Sequence, residues 1–187
     1  LENMLKKVDK LILGGAMANT FLKSQGYQLG ASKVEDDLLQ AALGILHKAQ
    51  EKGVKVYLPV DVIAATEFAP NAVNKAVTIQ DIPANWMALD IGPASVLLFK
   101  EVLIDAKTIV WNGPMGAFEM DSFARGTMAI AHEVAAAHAL SVTGGGDSNA
   151  AIDKAGEAAN ISYMSTGGGA FLMLMEGKEL PGIAALN

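Results

Sequence analysis

Short apolar runs alternate along the chain with segments of helical periodicity, and most of the runs stop at glycine or a polar turn. Lys10–Leu13 reads as a strand that breaks at Gly14-Gly15, followed by a helix over 16–25. Ser32 is placed to cap a long helix over 33–52, with Glu35, Asp36 and Asp37 in its first turn. Lys55–Leu58 is a second strand, closed by Pro59 and Asp61; Val77–Ile79 and Met87–Ile91 are the next two. Gly92-Pro93 opens a helix over 94–104, since proline suits a first helical turn. Thr108–Trp111 is β-branched and stops at Asn112-Gly113-Pro114, before a helix over 122–138. Leu140–Val142 and Ile161–Met164 each run into a glycine triplet and then a helix.

Strands alternating with helices, with few hairpin signals, predict an α/β fold: a parallel sheet with helices on both faces, Rossmann-like and three-layered. Right-handed crossovers put every strand-to-helix turn at one sheet edge, where ligands of such folds bind. The glycine-rich turns fall at that edge. With 187 residues and no low-complexity linker, one domain spanning 1–187 is expected.

Composition narrows the function. Hydrophobic residues are 51% and charged residues 18%, which supports a core rather than disorder. The net charge of −6 and the absence of a basic patch argue against nucleic acid as a partner. Arg125 is the sole arginine, so no arginine fork for phosphate can be built here. Cysteine is absent, which removes disulfides and thiolate metal sites. No apolar run is long enough to span a membrane, and a cytoplasmic protein is expected. The three histidines sit apart, giving no metal-ligand spacing.

The chemistry concentrates in the turns. Gly144-Gly145-Gly146-Asp147-Ser148 joins a strand to a helix start. Glycines let backbone approach a ligand, and free N–H groups at a helix start favour phosphate. Asp147 there either holds Mg²⁺ beside phosphates or caps the helix. Ser165-Thr166-Gly167-Gly168-Gly169 repeats the arrangement without the acid. Asn112 either donates its amide to a phosphate or bonds its own backbone, and Glu119 either accepts from a ribose hydroxyl or is solvated. Gly14-Gly15 provides a small-residue floor, for a flat base or for helix packing.

Three stretches together resemble the signatures of phosphoglycerate kinases: Trp111-Asn112-Gly113-Pro114-Met115-Gly116-Ala117-Phe118-Glu119, Gly144–Ser148, and Ser165–Ala170. Their order and separations match, as do Leu11–Leu22, Pro59-Val60-Asp61 and Glu176–Gly182, so the resemblance covers essentially the whole chain. It implies a single, nucleotide-binding C-terminal lobe of a two-lobed kinase that moves a phosphoryl group between 1,3-bisphosphoglycerate and ADP. By resemblance, Asp147 is the Mg²⁺ ligand, and Gly145, Gly146, Ser148 and Asn112 contact the phosphates of ADP or ATP. Glu119 takes the ribose, and Gly14, Gly15, Phe68 and Leu89 line the adenine slot. Gly167, Gly168 and Gly169 lie near the transferred group. Ala16, Ala88 and Lys33 depart from the usual residues around the base. The phosphoglycerate-binding lobe has no counterpart in these residues, so the chain is expected to be a fragment that binds nucleotide without turnover. The full-length enzyme is expected to be a monomer. A dinucleotide oxidoreductase is the rival class, but no Gly-x-Gly-x-x-Gly opens the first helix. In a purely structural domain the glycine turns would only pack helix on strand.

Overall fold

The structure is a computed structural model and describes residues 2–165 together with Gly167, Met173 and Gly177. Among the described residues, eight strands and five α-helices follow one another: β1 Lys10–Ile12, α1 Gly15–Ser24, α2 Leu39–Glu51, β2 Lys55–Tyr57, β3 Asp61–Ala65, β4 Asn74–Thr78, β5 Met87–Ile91, α3 Pro93–Leu103, β6 Thr108–Trp111, α4 Arg125–Ala136, β7 Leu140–Gly144, α5 Gly146–Ala155 and β8 Tyr163–Ser165. Parallel pairing is seen in β1–β2 and in β6–β7–β8, as the alternating pattern predicts. Phe99, Ile109, Trp111, Ile130, Val134 and Ile152 are buried between the second of these sheets and the helices packed on it. Among the described residues no helix is long and apolar enough to cross a membrane. The expected last helix lies outside the described residues.

Two expectations needed correction. The segment after Pro59 is not a turn but β3, the centre of an antiparallel sheet in the order β4-β3-β5. Its residues Val62, Ala64 and Ala65 are buried, and Val62 and Ala64 pack with Leu22, Leu29 and Ile79. The polar Asp61 belongs to the strand because its carboxylate has a buried task. Asp61 Oδ2 accepts from Ala94 N at 3.0 Å and Oδ1 from Ser95 N at 2.7 Å, which caps α3 from another element. Ser95 Oγ donates back to Asp61 and accepts from Val60 N at 2.9 Å.

The second correction concerns α2, which begins at Leu39 rather than near residue 33. Ser32 does not cap it: its hydroxyl accepts from Ala88 N at 2.8 Å. Asn19 Nδ2 donates to Lys33 O at 3.2 Å and Glu35 N donates to Thr20 Oγ1 at 3.1 Å. These bonds hold 33–35 out of the helix and against α1, and the acids follow as one 3-10 turn, Asp36–Leu38.

Replacing Asp61 with alanine removes the acceptor for two helix-end amides and a buried hydroxyl. It is expected to cost roughly 2–4 kcal/mol in urea unfolding. A loss below about 0.5 kcal/mol would show that the cap is dispensable.

Candidate nucleotide site at the carboxyl edge

β6, β7 and β8 are neighbours in that order, so the turns leaving β6 and β7 stand side by side. Hydrogen bonds between the turns fix their spacing. Asn112 Nδ2 donates to Gly144 O at 2.8 Å, and Gly113 N donates to Ser148 Oγ at 2.7 Å. One turn further along, Thr143 Oγ1 donates to Asn149 Oδ1 at 2.9 Å, and Asn149 Nδ2 donates to Ser165 O at 2.9 Å. Asn149 therefore spans β7 and β8. Gly145 takes φ +96°, a conformation that side-chain-bearing residues rarely adopt, and this aims the chain into α5 at Gly146.

Asp147 lies in the first turn of α5, exposed, and its side chain makes no hydrogen bond or ion pair with another described residue. Gly146 and Gly167 are exposed as well. Ser148 is buried at 1% relative exposure, its oxygen already accepting from Gly113. Gly168 and Gly169 lie outside the described residues.

The remaining sequence candidates converge. Gly14, Gly15, Phe68, Leu89, Asn112 and Glu119 all line one cavity of about 1540 Å³. The β1–α1 turn reaches it because Gly15 N donates to Met115 O at 3.1 Å, and a side chain at Gly14 would collide with Met115. Gly116 carries the same loop against β5, where an added Cβ would sit 2.6 Å from Leu89 O. Lys33, Ala16 and Ala88, the departures around the base, also line the cavity. Phe68 projects into solvent at 66% exposure. Arg125 stands apart, in a smaller cleft of about 440 Å³ with Asp121 and Ser122.

Sequence reasoning missed several residues that position this edge. Thr127, fully buried, accepts at Oγ1 from Met115 N at 3.0 Å. Lys154 donates to Phe118 O at 2.8 Å and pairs with Asp121, which ties the segment bearing Glu119 to α5. Asp90, also on the cavity wall, is 3% exposed and accepts from Gly126 N at 2.7 Å and Ile91 N at 2.9 Å. Burial outweighs those two donors and pushes its carboxyl up to about 7.

An α/β domain with glycine-rich turns gathered at the ends of parallel strands is the general form of a phosphate-binding domain. The family model described as "Phosphoglycerate kinase" matches residues 1–178. The phosphoglycerate kinase of Desulfotalea psychrophila is 68% identical over 187 residues, all of this chain and 48% of that protein. That of Geobacter metallireducens is 61% identical over all of the chain and 47% of its own length. The structure of the Coxiella burnetii phosphoglycerate kinase superposes with a TM-score of 0.95 at 47% identity, covering 100% of this chain and 48% of that one. The chain belongs to the phosphoglycerate kinase family. It spans about half the length of the relatives it matches.

The raised Asp90 carboxyl has a consequence for stability. The folded chain keeps a proton that the unfolded chain releases, so this group's contribution falls as pH rises from 3.8 to about 7. Asp90→Asn is expected to flatten that slope. From pH 5 to 8 the parent should lose on the order of 2 kcal/mol that the variant keeps, read from urea midpoints. Equal slopes in the two proteins would contradict the assignment.

Proposed function

We propose that this chain is the nucleotide-binding half of a phosphoglycerate kinase. The full-length protein, in the cytoplasm, would reversibly transfer the acyl phosphoryl group of 1,3-bisphosphoglycerate to ADP in glycolysis, giving 3-phosphoglycerate and ATP. The observation that supports it best is the side-by-side setting of the 112–119 and 144–148 turns, with Asp147 exposed at a helix start. Family membership gives the reaction class.

Each residue then has a role consistent with its surroundings. Gly14, Gly15, Phe68 and Leu89 hold the base, and the Glu119 carboxylate accepts from the ribose. Backbone N–H groups of Gly145 and Gly146 face the phosphates at the positive end of α5. Asn112 spends one amide hydrogen on Gly144 O and keeps the second for a phosphate oxygen. Ser148 accepts from Gly113, so only its own hydroxyl proton is left to donate. Gly167, Gly168 and Gly169 would face the transferred group.

The donor set suits Mg²⁺. Among the described residues no group of three or more His, Cys, Asp or Glu is arranged to hold a metal. Magnesium commonly needs no such cage, being held by one or two carboxylates, waters and substrate phosphates. Asp147 supplies that carboxylate. When bound, the cation neutralises phosphate charge that builds up during transfer. The protein's share is positioning. The phosphoglycerate would come from a second lobe, and closing the two lobes would exclude water. This half alone is expected to bind nucleotide and not to turn over.

Calorimetry of this chain with ADP, with and without Mg²⁺, tests the reading. Binding should tighten with Mg²⁺, and Asp147→Ala should lose about tenfold of affinity only when the cation is present, roughly 1.4 kcal/mol. No heat from a folded chain, or an Asp147→Ala variant equal to the parent with Mg²⁺, would contradict it.

A further inference from the structure

Asn112-Gly113 is the one place in the chain where asparagine is followed by glycine. Asparagine is a thermolabile residue, and its weak point is the peptide nitrogen that follows it. That nitrogen can attack the side-chain amide carbon, Cγ, and close a five-membered imide. A following side chain crowds the attack, and glycine has none. Here Asn112 is exposed, and Gly113 takes φ +96° with nothing within 4 Å of where a Cβ would stand. Both residues line the large cavity, so water reaches them. Sequence and exposure together supply every reactant.

The folded chain holds those reactants apart. Gly113 N, the attacking group, donates its hydrogen to Ser148 Oγ at 2.7 Å. Asn112 Nδ2, the leaving group, donates to Gly144 O at 2.8 Å. Trp111 Nε1 donates to Gly113 O at 2.6 Å, which fixes the far side of the glycine. Ser148 is 1% exposed and Trp111 5%, so both anchors are shielded from water. The peptide nitrogen attacks only after it loses its proton and meets Cγ. The first needs the Gly113–Ser148 bond to open, and the second needs the Asn112–Gly144 bond to open. Such openings are local fluctuations of the fold.

We propose that Asn112 is a deamidation site kept latent by these bonds, and that its conversion abolishes nucleotide binding. The second clause rests on the nucleotide reading; the first does not. Gly113 N gives its proton to solvent and bonds to Cγ. The Cγ–Nδ2 bond breaks, and Nδ2 leaves as ammonia with a proton from water. A water molecule then opens the imide. Attack at Cγ leaves aspartate, and attack at the main-chain carbonyl leaves isoaspartate. In sum one water is consumed, one ammonia is released and one carboxylate is gained, with no change of oxidation state.

The product cannot do what the amide does. A carboxylate only accepts, so it has no hydrogen for Gly144 O and none for a phosphate oxygen. Its charge opposes both. Isoaspartate also lengthens the main chain before Gly113 and so displaces that glycine from Ser148. The step is one-way, and the Ser148 link sets its rate.

The test incubates the 187-residue chain at mildly alkaline pH and follows each asparagine by peptide mass spectrometry, folded and in urea. In urea Asn112 should convert first. In the folded chain it should convert at least about tenfold more slowly than in urea. Ser148→Ala should speed the folded reaction about five- to tenfold, the effect of one hydrogen bond. Ser148→Thr, which keeps the hydroxyl, should not. If Ser148→Ala does not fold, the parent decides: in sub-denaturing urea, amide exchange at Gly113 and conversion of Asn112 should rise in proportion. Converted chain, separated by anion exchange, should lose about tenfold or more of its affinity for Mg-ADP in calorimetry. Equal rates folded and in urea, a folded Ser148→Ala variant as slow as the parent, or Gly113 exchange that rises without conversion overturns the latent site. Converted chain that binds Mg-ADP like the parent overturns the second clause. No heat from unconverted parent would overturn the nucleotide reading and the second clause with it, and the rates would still decide the first.

Discussion

Everything at the carboxyl edge depends on two short hydrogen bonds between neighbouring strand ends. The buried Ser148 hydroxyl accepts from Gly113 N, and the Asn112 amide donates to Gly144 O. Together they set the distance between the turn that leaves β6 and the helix that starts after β7. Without them the two turns would be independent loops, each free to follow its own glycines. With them, the exposed Asp147 and the start of α5 are held at a fixed distance from Asn112 and Gly113. Asn149 extends the same logic to Ser165, the last residue of β8.

The nucleotide reading follows from this economy. Phosphoryl transfer asks little covalent chemistry of a protein, so catalysis lies in holding charged groups in place. Aligned backbone dipoles and one carboxylate do that at small cost because folding has already oriented them. In the proposed reading, the antiparallel sheet β4-β3-β5 would serve the base end of the nucleotide. It places Leu89 and Asp90 on the cavity wall, with Gly116 and Gly126 pressed close to Asp90.

Much of this was legible in the chain itself. Thr108–Trp111 and Met87–Ile91 stand where their apolar patterns put them. The glycine turns could be read because strand, glycine and helix-start residues adjoin in sequence. The role of Phe68 was different: an exposed aromatic in a loop has no pattern of its own, and only the family resemblance singled it out. β3 was hidden because Asp61 looked like punctuation. Its partners, Ala94 and Ser95, lie more than thirty residues away and cannot be foreseen from local pattern. The start of α2 was misjudged for a similar reason, as Ser32 is claimed by Ala88. The same limit hid the Ser148–Gly113 and Asn149–Ser165 links. Local chemistry is written in neighbouring residues, whereas the bonds that aim it are made across the sheet.

Paramagnetic broadening by Mn²⁺, a stand-in for Mg²⁺, tests the central claim most directly when it is read from amide signals of the ADP-saturated chain. The account predicts strongest broadening at Gly145–Ser148 and next at Asn112 and Gly113, all of it dependent on ADP. Broadening centred instead on the Asp121–Arg125 cleft, or the same with and without ADP, would contradict it.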